Sequence, residues 1–326
     1  MGSLSHPCHA SFACILQSLP ISAPPVRQLP FRQPDAMAVK KRTKALSAGR
    51  PPIDRPKERM TSERSRAIIR THHTLQKERA AALKRGDAEA VGRTSQALEK
   101  HGGIGMYQAA SKQGQAKDRG GDSSKVLIDW LQQSKIINAK ASDANKPSVA
   151  SLRCLEIGSL SSKNEISRKS GVINMTRIDL NSQGPGIEQQ DFMERPLPLS
   201  DDERFDIISL SLVLNYVPDA TGRGDMLKRV TEFLRVQPED LEGATKTLPV
   251  FFLVLPLPCV KNSRYMDEPL LLRIMANLGF AVQSKKKTAK LCYYLFHWNG
   301  SVTSLKVDKK KIADRPVMNN FSIVLA

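Results

Sequence analysis

The sequence predicts an α/β protein: a mainly parallel sheet that ends in an antiparallel carboxyl-terminal hairpin and is preceded by a basic helical region. Three observations point there. From Leu152 onward, short runs of β-branched and apolar residues alternate with helical stretches, the order of a crossover-connected sheet. Between Thr61 and Lys100 the composition changes to Ala, Leu, Gln, Lys, Arg and Glu, with seven basic residues from Arg64 to Arg85. At the far end, two strand-like runs, Ala281–Lys287 and Leu291–Trp298, are separated by a short polar turn.

The elements follow in order. Residues 1–60 read as a disordered basic extension. Met1 to Pro34 hold no Asp or Glu and many Ser and Pro, and Met37 opens MAVKKRTKALSAGRPP, which reads as a natural beginning. Lys40, Lys41, Arg42 and Lys44 form a cluster suited to nuclear import or RNA contact, or a solvated tail. Residues 61–148 form the helical region and linker. Thr61-Ser62-Glu63 caps a helix that runs to Arg85, Gly86 breaks it, and Asp87 caps a second helix ending near Lys100. Ile104 to Gly121 reads as an irregular basic loop. Asp122 or Ser123 then starts a short helix carrying Val126, Leu127, Trp130 and Leu131, and Ala139–Ser148 is a linker.

Residues 149–326 form the sheet domain. Strands are expected at Leu152–Ile157, Val172–Ile178, within Phe205–Leu214 and at Pro249–Leu257, with a short strand or turn near Ile187–Phe192. Helices are expected over Gly224–Leu234 and Asp267–Leu278, the latter closed by Gly279 as a left-handed residue.

Length and composition bound the function. The 326 residues suggest about two domains, and 40% hydrophobic content suffices for one sizeable core. A net charge of +18 favours polyanionic partners, chiefly nucleic acid. No stretch approaches the ~18 apolar residues of a membrane span. Five cysteines, with no C-x-x-C pair and three inside apolar runs, imply a reducing compartment rather than a disulfide framework. The six histidines make no zinc pattern with them, and no carboxylate cluster suggests a metal site. Nothing indicates an oligomer.

The chemistry concentrates in LRCLEIGSLSSKNEISRKSGVINMTRIDLN, Leu152 to Asn181. One apolar run ends in Glu156-Ile157-Gly158 and the next in Asp179, close to the roughly 20 residues expected between a nucleotide-binding glycine turn and a ribose-binding carboxylate. Gly158 permits a tight turn and close ligand approach, and Asp179 can accept both ribose hydroxyls. Glu156 is a candidate to orient a ligand amine through water. Further glycines are missing from EIGSLSSKN, which argues against a pyrophosphate ligand and for one without phosphate, such as S-adenosylmethionine. The competing reading is a buried strand, a turn glycine and a solvated Asp.

With EIG, RIDLN, QQDFM and SLVLNYVP in one series and a hairpin at the end, the chain resembles the fungal 25S rRNA (adenine-N1) methyltransferases from about Gly102 to its end. The resemblance implies a class I, Rossmann-like methyltransferase fold whose last strand inserts antiparallel between its neighbours. It also implies S-adenosyl-L-methionine as cofactor, large-subunit ribosomal RNA as substrate, and a nuclear, nucleolar location in ribosome biogenesis. Family cofactor positions fall on Gly158 and Asp179. In this class Asp191 and Phe192 stand where adenine of the cofactor is read, or else form a turn and a core aromatic. Asn215-Tyr216-Val217-Pro218 occupies the place of the N-P-P-F/Y signature of amino-directed methyltransferases, with the first proline missing and the aromatic moved forward. That departure suits an endocyclic nitrogen, which carries its own lone pair. Tyr216 is then the candidate base-stacking residue and Asn215 the candidate orienter of a flipped or single-stranded base. Arg223 is a candidate phosphate contact or a surface Arg. Animal relatives of this family look like cofactor sensors, so a non-catalytic S-adenosylmethionine-binding module acting through a protein partner is the alternative.

Overall fold

The computed structural model describes residues 60–114, 121–137, 151–182, 184–236, 248–303 and 306–326. The expected extension 1–60, apart from Met60, and the linker Ala139–Ser148 lie outside the described residues. Seven strands form one sheet: β1 (Leu152–Ile157), β2 (Ile173–Asp179), β3 (Glu188–Gln189), β4 (Ile207–Ser211), β5 (Val250–Pro256), β6 (Phe280–Lys287) and β7 (Leu291–Trp298). Their spatial order is β3-β2-β1-β4-β5-β7-β6. The first five are parallel, and β7 runs antiparallel between β5 and β6. This is the class I arrangement that the terminal hairpin predicted. The order reverses between β1 and β4, so the crevice at their carboxyl ends is where such sheets bind ligands.

The sheet is central because its middle strands carry little but apolar side chains. Val250 to Leu255 of β5 are all fully buried, as are Ile207, Ile208 and Leu210 of β4. Burying each such side chain is worth about 1.5–3 kcal/mol, and runs apolar on both faces belong in the interior of a covered sheet. One face is covered by α5 (Ala220–Phe233) and α7 (Glu268–Asn277), the other by α4 (Ser124–Gln133) through Leu127, Trp130 and Leu131. A short helix not expected from the sequence, α6 (Pro258–Lys261), follows β5.

The amino-terminal helices end where their capping residues dictate. In α1 (Ser62–Arg85) the Thr61 side chain accepts from Arg64 N, and Gly86 closes the helix at φ 69°. In α2 (Ala88–Lys100) Asp87 accepts from Ala90 N. The expected loop from Ile104 is corrected in its first half, which forms α3 (Gly103–Gly114). Its glycines sit at the helix ends or in open positions, where they cost little, and its packing on α1 supplies what intrinsic propensity does not. At α4 the cap belongs to Asp122, whose Oδ1 accepts from Ser124 N, whereas the Ser123 side chain caps nothing.

The carboxyl-terminal segment is built into the domain. Arg223 of α5 is buried, donates to Ser322 O at 2.7 Å and to Pro218 O at 3.3 Å, and lies 4.7 Å over the Phe321 ring. The phosphate-contact reading of Arg223 is therefore corrected: its guanidinium fastens the tail to the start of α5. The tail passes so close that a Cβ on Gly224 would fall 1.8 Å from Val324 O. Gly224→Ala is expected to destabilise the fold by at least about 1–3 kcal/mol, read as a lower urea midpoint with an unchanged m value.

Candidate active site

The site forms where β1, β2 and β4 end. Gly158, directly after β1, has φ 74°, a conformation that disfavours any side chain. A Cβ there would meet Val213 Cγ2 at 2.3 Å, so the turn leaving β1 is pressed against the loop leaving β4. Glu156 organises the turn from beneath. Its Oε1 accepts from Asn164 Nδ2 at 2.7 Å, its Oε2 accepts from Ser159 Oγ at 3.1 Å, and Arg177 Nε lies 3.7 Å away. Burial raises the Glu156 carboxyl above its ordinary range, against the opposing hydrogen bonds from Asn164 and Ser159 and the Arg177 charge. Both carboxylate oxygens thus fold the loop, and the water-mediated contact to a ligand amine gives way to a strand-end role. Asp122 braces the same loop, accepting from Glu165 N at 2.5 Å, while Ser123 Oγ meets Ser211 Oγ at the tip of β4 at 2.8 Å.

Asp179 ends β2. Its Oδ1 accepts from Asn181 N at 2.9 Å and from Gln108 Nε2 at 3.0 Å. Gln108, buried on α3, also donates to Asn181 O and accepts from Asn181 Nδ2. Both bonds fall on Oδ1, which leaves the acceptor capacity of Oδ2 for a hydroxyl. Burial raises the Asp179 pKa, opposed by these hydrogen bonds.

Asp191 and Phe192 separate. Asp191 Oδ1 accepts from Met193 N at 2.8 Å in a local turn. The Phe192 ring is in the core, 5.2 Å from Phe233 and 5.8 Å beneath the Arg229 guanidinium, so it cannot cover a bound adenine and that expectation is corrected.

The loop after β4 carries the other candidates. Leu212 adopts φ 59°, a strained conformation for a branched side chain, and its N–H donates to Val254 O at 2.9 Å. The chain thereby turns off the sheet and presents Asn215 and Tyr216. Asn215 Oδ1 is buried without a hydrogen-bond partner, a state costing about 1–3 kcal/mol unless a ligand donates to it. Tyr216 is met by residues that the sequence did not mark. The His73 ring of α1 stacks on it at 4.1 Å and 13°, and Tyr107 of α3 packs edge-on at 5.2 Å. Tyr107 in turn stacks on His72 at 4.5 Å. Lys84 of α1 pairs with Asp219, the cap of α5, at 3.3 Å. The amino-terminal helices therefore roof the mouth of the crevice. Burial holds the Tyr107 phenol well above its usual range and raises that of Tyr216. His73 is pushed down to about 4, first by burial and then by the charges of Lys77, His72 and Arg223. These rings are neutral at physiological pH.

The residues present fit S-adenosylmethionine. Gly158 leaves β1 in a turn that only glycine fits, and Asp179 offers its second carboxylate oxygen to ribose. Among the described residues no group of His, Cys, Asp and Glu could hold a metal, and no helix is long and apolar enough to cross a membrane.

Two outcomes follow. Asp179→Ala is expected to weaken S-adenosylhomocysteine binding by at least about 100-fold in calorimetry while the far-ultraviolet circular dichroism stays native. Because the His73 pKa falls from 6.5 to about 4 on folding, the unfolded chain binds more protons between those values. Its contribution is thus complete above pH 6.5 and lost as the pH falls toward 4. His73→Phe, which keeps the stack, is expected to flatten that acid-side decline in urea midpoint.

A family model described as "25S rRNA (adenine(2142)-N(1))-methyltransferase, Bmt2" matches residues 92–323. The 25S rRNA (adenine(2142)-N(1))-methyltransferase of Saccharomyces cerevisiae is 40% identical over 230 residues, covering 70% of this chain and 61% of the yeast protein. The 25S rRNA adenine-N(1) methyltransferase of Schizosaccharomyces pombe is 38% identical over 258 residues, covering 78% of this chain and 89% of the relative. The chain thus spans about three fifths of the budding-yeast relative's length and most of the fission-yeast one. Among solved structures, the 16S rRNA methylase RmtB is 14% identical, covers 74% of this chain and 77% of its own, and has a TM-score of 0.35. On the family match and the two yeast relatives, the chain belongs to the 25S rRNA adenine-N(1)-methyltransferase family.

Proposed function

We propose that the protein transfers a methyl group from S-adenosyl-L-methionine to N1 of an adenine in large-subunit ribosomal RNA. The observation that carries this reading is the pairing of the Gly158–Asp179 crevice with Asn215 and Tyr216 at its mouth, where Asn215 Oδ1 is buried and unpartnered. Membership of the family and the net charge of +18 support the same substrate.

When bound, S-adenosylmethionine supplies an electrophilic methyl on a sulfonium centre and leaves as a neutral thioether. Adenine N1 attacks with its own in-plane lone pair, so no proton has to be removed first, and the positive charge passes to the base. Asn215 Oδ1 accepts from the exocyclic amine beside N1, which turns N1 toward the methyl carbon. Tyr216 offers a face for the extruded base. The protein's work is alignment, consistent with the neutral state of Tyr107, Tyr216 and His73. Base pairing hides N1, so the target is flipped out or single-stranded. The nucleolus, during ribosome maturation, is the proposed location, supported by the basic cluster at Lys40–Lys44.

The test incubates the protein with labelled S-adenosylmethionine and large-subunit rRNA from cells lacking it. Label is expected on N1 of one adenine, with kcat/KM reduced about 100-fold in Asn215→Ala and about 10- to 100-fold in Tyr216→Ala. Intact cofactor binding with no transfer to RNA would instead favour the sensor reading.

A further inference from the structure

One face of α1 leads directly to Tyr216. Arg66, Arg70, His73, Lys77 and Lys84 fall within about 60° of one another at 100° per residue, so they form a single stripe along the helix. Two members fix where that stripe points: His73 stacks on Tyr216 at 4.1 Å, and Lys84 pairs with Asp219 at 3.3 Å. The stripe therefore borders the loop that holds Asn215 and Tyr216, over a length of about 27 Å from Arg66 to Lys84.

The three remaining members are exposed cations. Among the described residues, no carboxylate lies within salt-bridge distance of Arg66, Arg70 or Lys77. Arg66 donates to Ser62 O at 3.1 Å within its own helix, and off the stripe Arg79 donates to Ser95 Oγ at 3.1 Å and Arg93 pairs with Glu89. A row of unpaired cations with a planar neutral ring in the same line matches a single nucleic-acid strand, which offers phosphates in series and bases that stack on aromatic faces. An acidic peptide would meet the cations but has no use for the ring.

Resting on the proposed rRNA reading, we propose that this face of α1 is the track for the RNA strand flanking the target adenine. Arg66, Arg70 and Lys77 meet its phosphates, and His73 covers the face of Tyr216 that the extruded base takes over.

The experiment compares two triple variants of the full chain for binding an unmodified 25S rRNA transcript without cofactor, across a salt series. Arg66→Gln/Arg70→Gln/Lys77→Gln removes the stripe. Arg64→Gln/Arg85→Gln/Arg93→Gln removes the same charge from exposed positions off it. The stripe variant is expected to raise Kd at least about tenfold and to lower the log–log salt slope by roughly 2, with unchanged heat of S-adenosylhomocysteine binding. The control triple should stay within about twofold of wild type, and Arg66→Lys/Arg70→Lys should retain affinity. Equal losses in both triples, no loss in the stripe variant, or poly-glutamate competing as well as RNA would overturn the proposal. If the wild type binds the transcript but transfers no methyl group, the catalytic reading fails while the two-face comparison still judges the track.

Discussion

The site depends on a close approach between two chain segments. β1 must turn away from the sheet at Gly158 while the loop after β4 passes beside it, and Val213 occupies the space that any side chain on Gly158 would need. The glycine's φ of 74° and the Leu212 φ of 59° are the two halves of one accommodation. The first bends the chain off β1 and the second off β4, with the Val213 side chain packed between them. Glu156 keeps the first bend in place through Ser159 and Asn164, so the acid at the end of β1 acts on the loop and only through it on a ligand.

The amino-terminal helices complete the crevice rather than merely preceding it. Gln108 of α3 holds Asp179 and Asn181, His73 of α1 lies on Tyr216, and Ser123 touches the tip of β4. Each contact joins a residue ahead of the sheet to a position at or just beyond the end of a strand. A class I sheet supplies a generic cofactor crevice. Beside the sheet, the chain gathers an aromatic group from three separate segments, His72 and His73, Tyr107, and Tyr216.

Much of this was legible in the sequence where the signal is local. The strands of the sheet were visible as apolar β-branched runs, the helix ends as the Thr61 and Asp87 caps, and the ends of β1 and β2 as a glycine and an acid at the right separation. What stayed hidden depends on long-range packing. Gln108 and Asp179 are 71 residues apart, and Arg223 and Ser322 are 99 apart. No local pattern reports such pairs. The glycines around α3 imitate a loop because propensity is counted without the neighbours that pay for them. Phe192 lies beside a turn acid in the sequence, but only the packing of Phe233 and Arg229 shows that its ring turns inward. Asn215 and Tyr216 were placed by resemblance to a signature they only partly match, and the structure adds the buried, unpartnered amide oxygen.

The tether between Arg223 and the tail carries a consequence for handling the molecule. Ser322 and Phe321 together shield a guanidinium that also grips Pro218, the residue closing the Asn215–Pro218 segment. Cutting the chain before Phe321 would strip that cation of its ring and its strongest acceptor and leave Pro218 held by a freely hydrated side chain. The last half-dozen residues are in this sense a buttress for the Asn215–Pro218 loop.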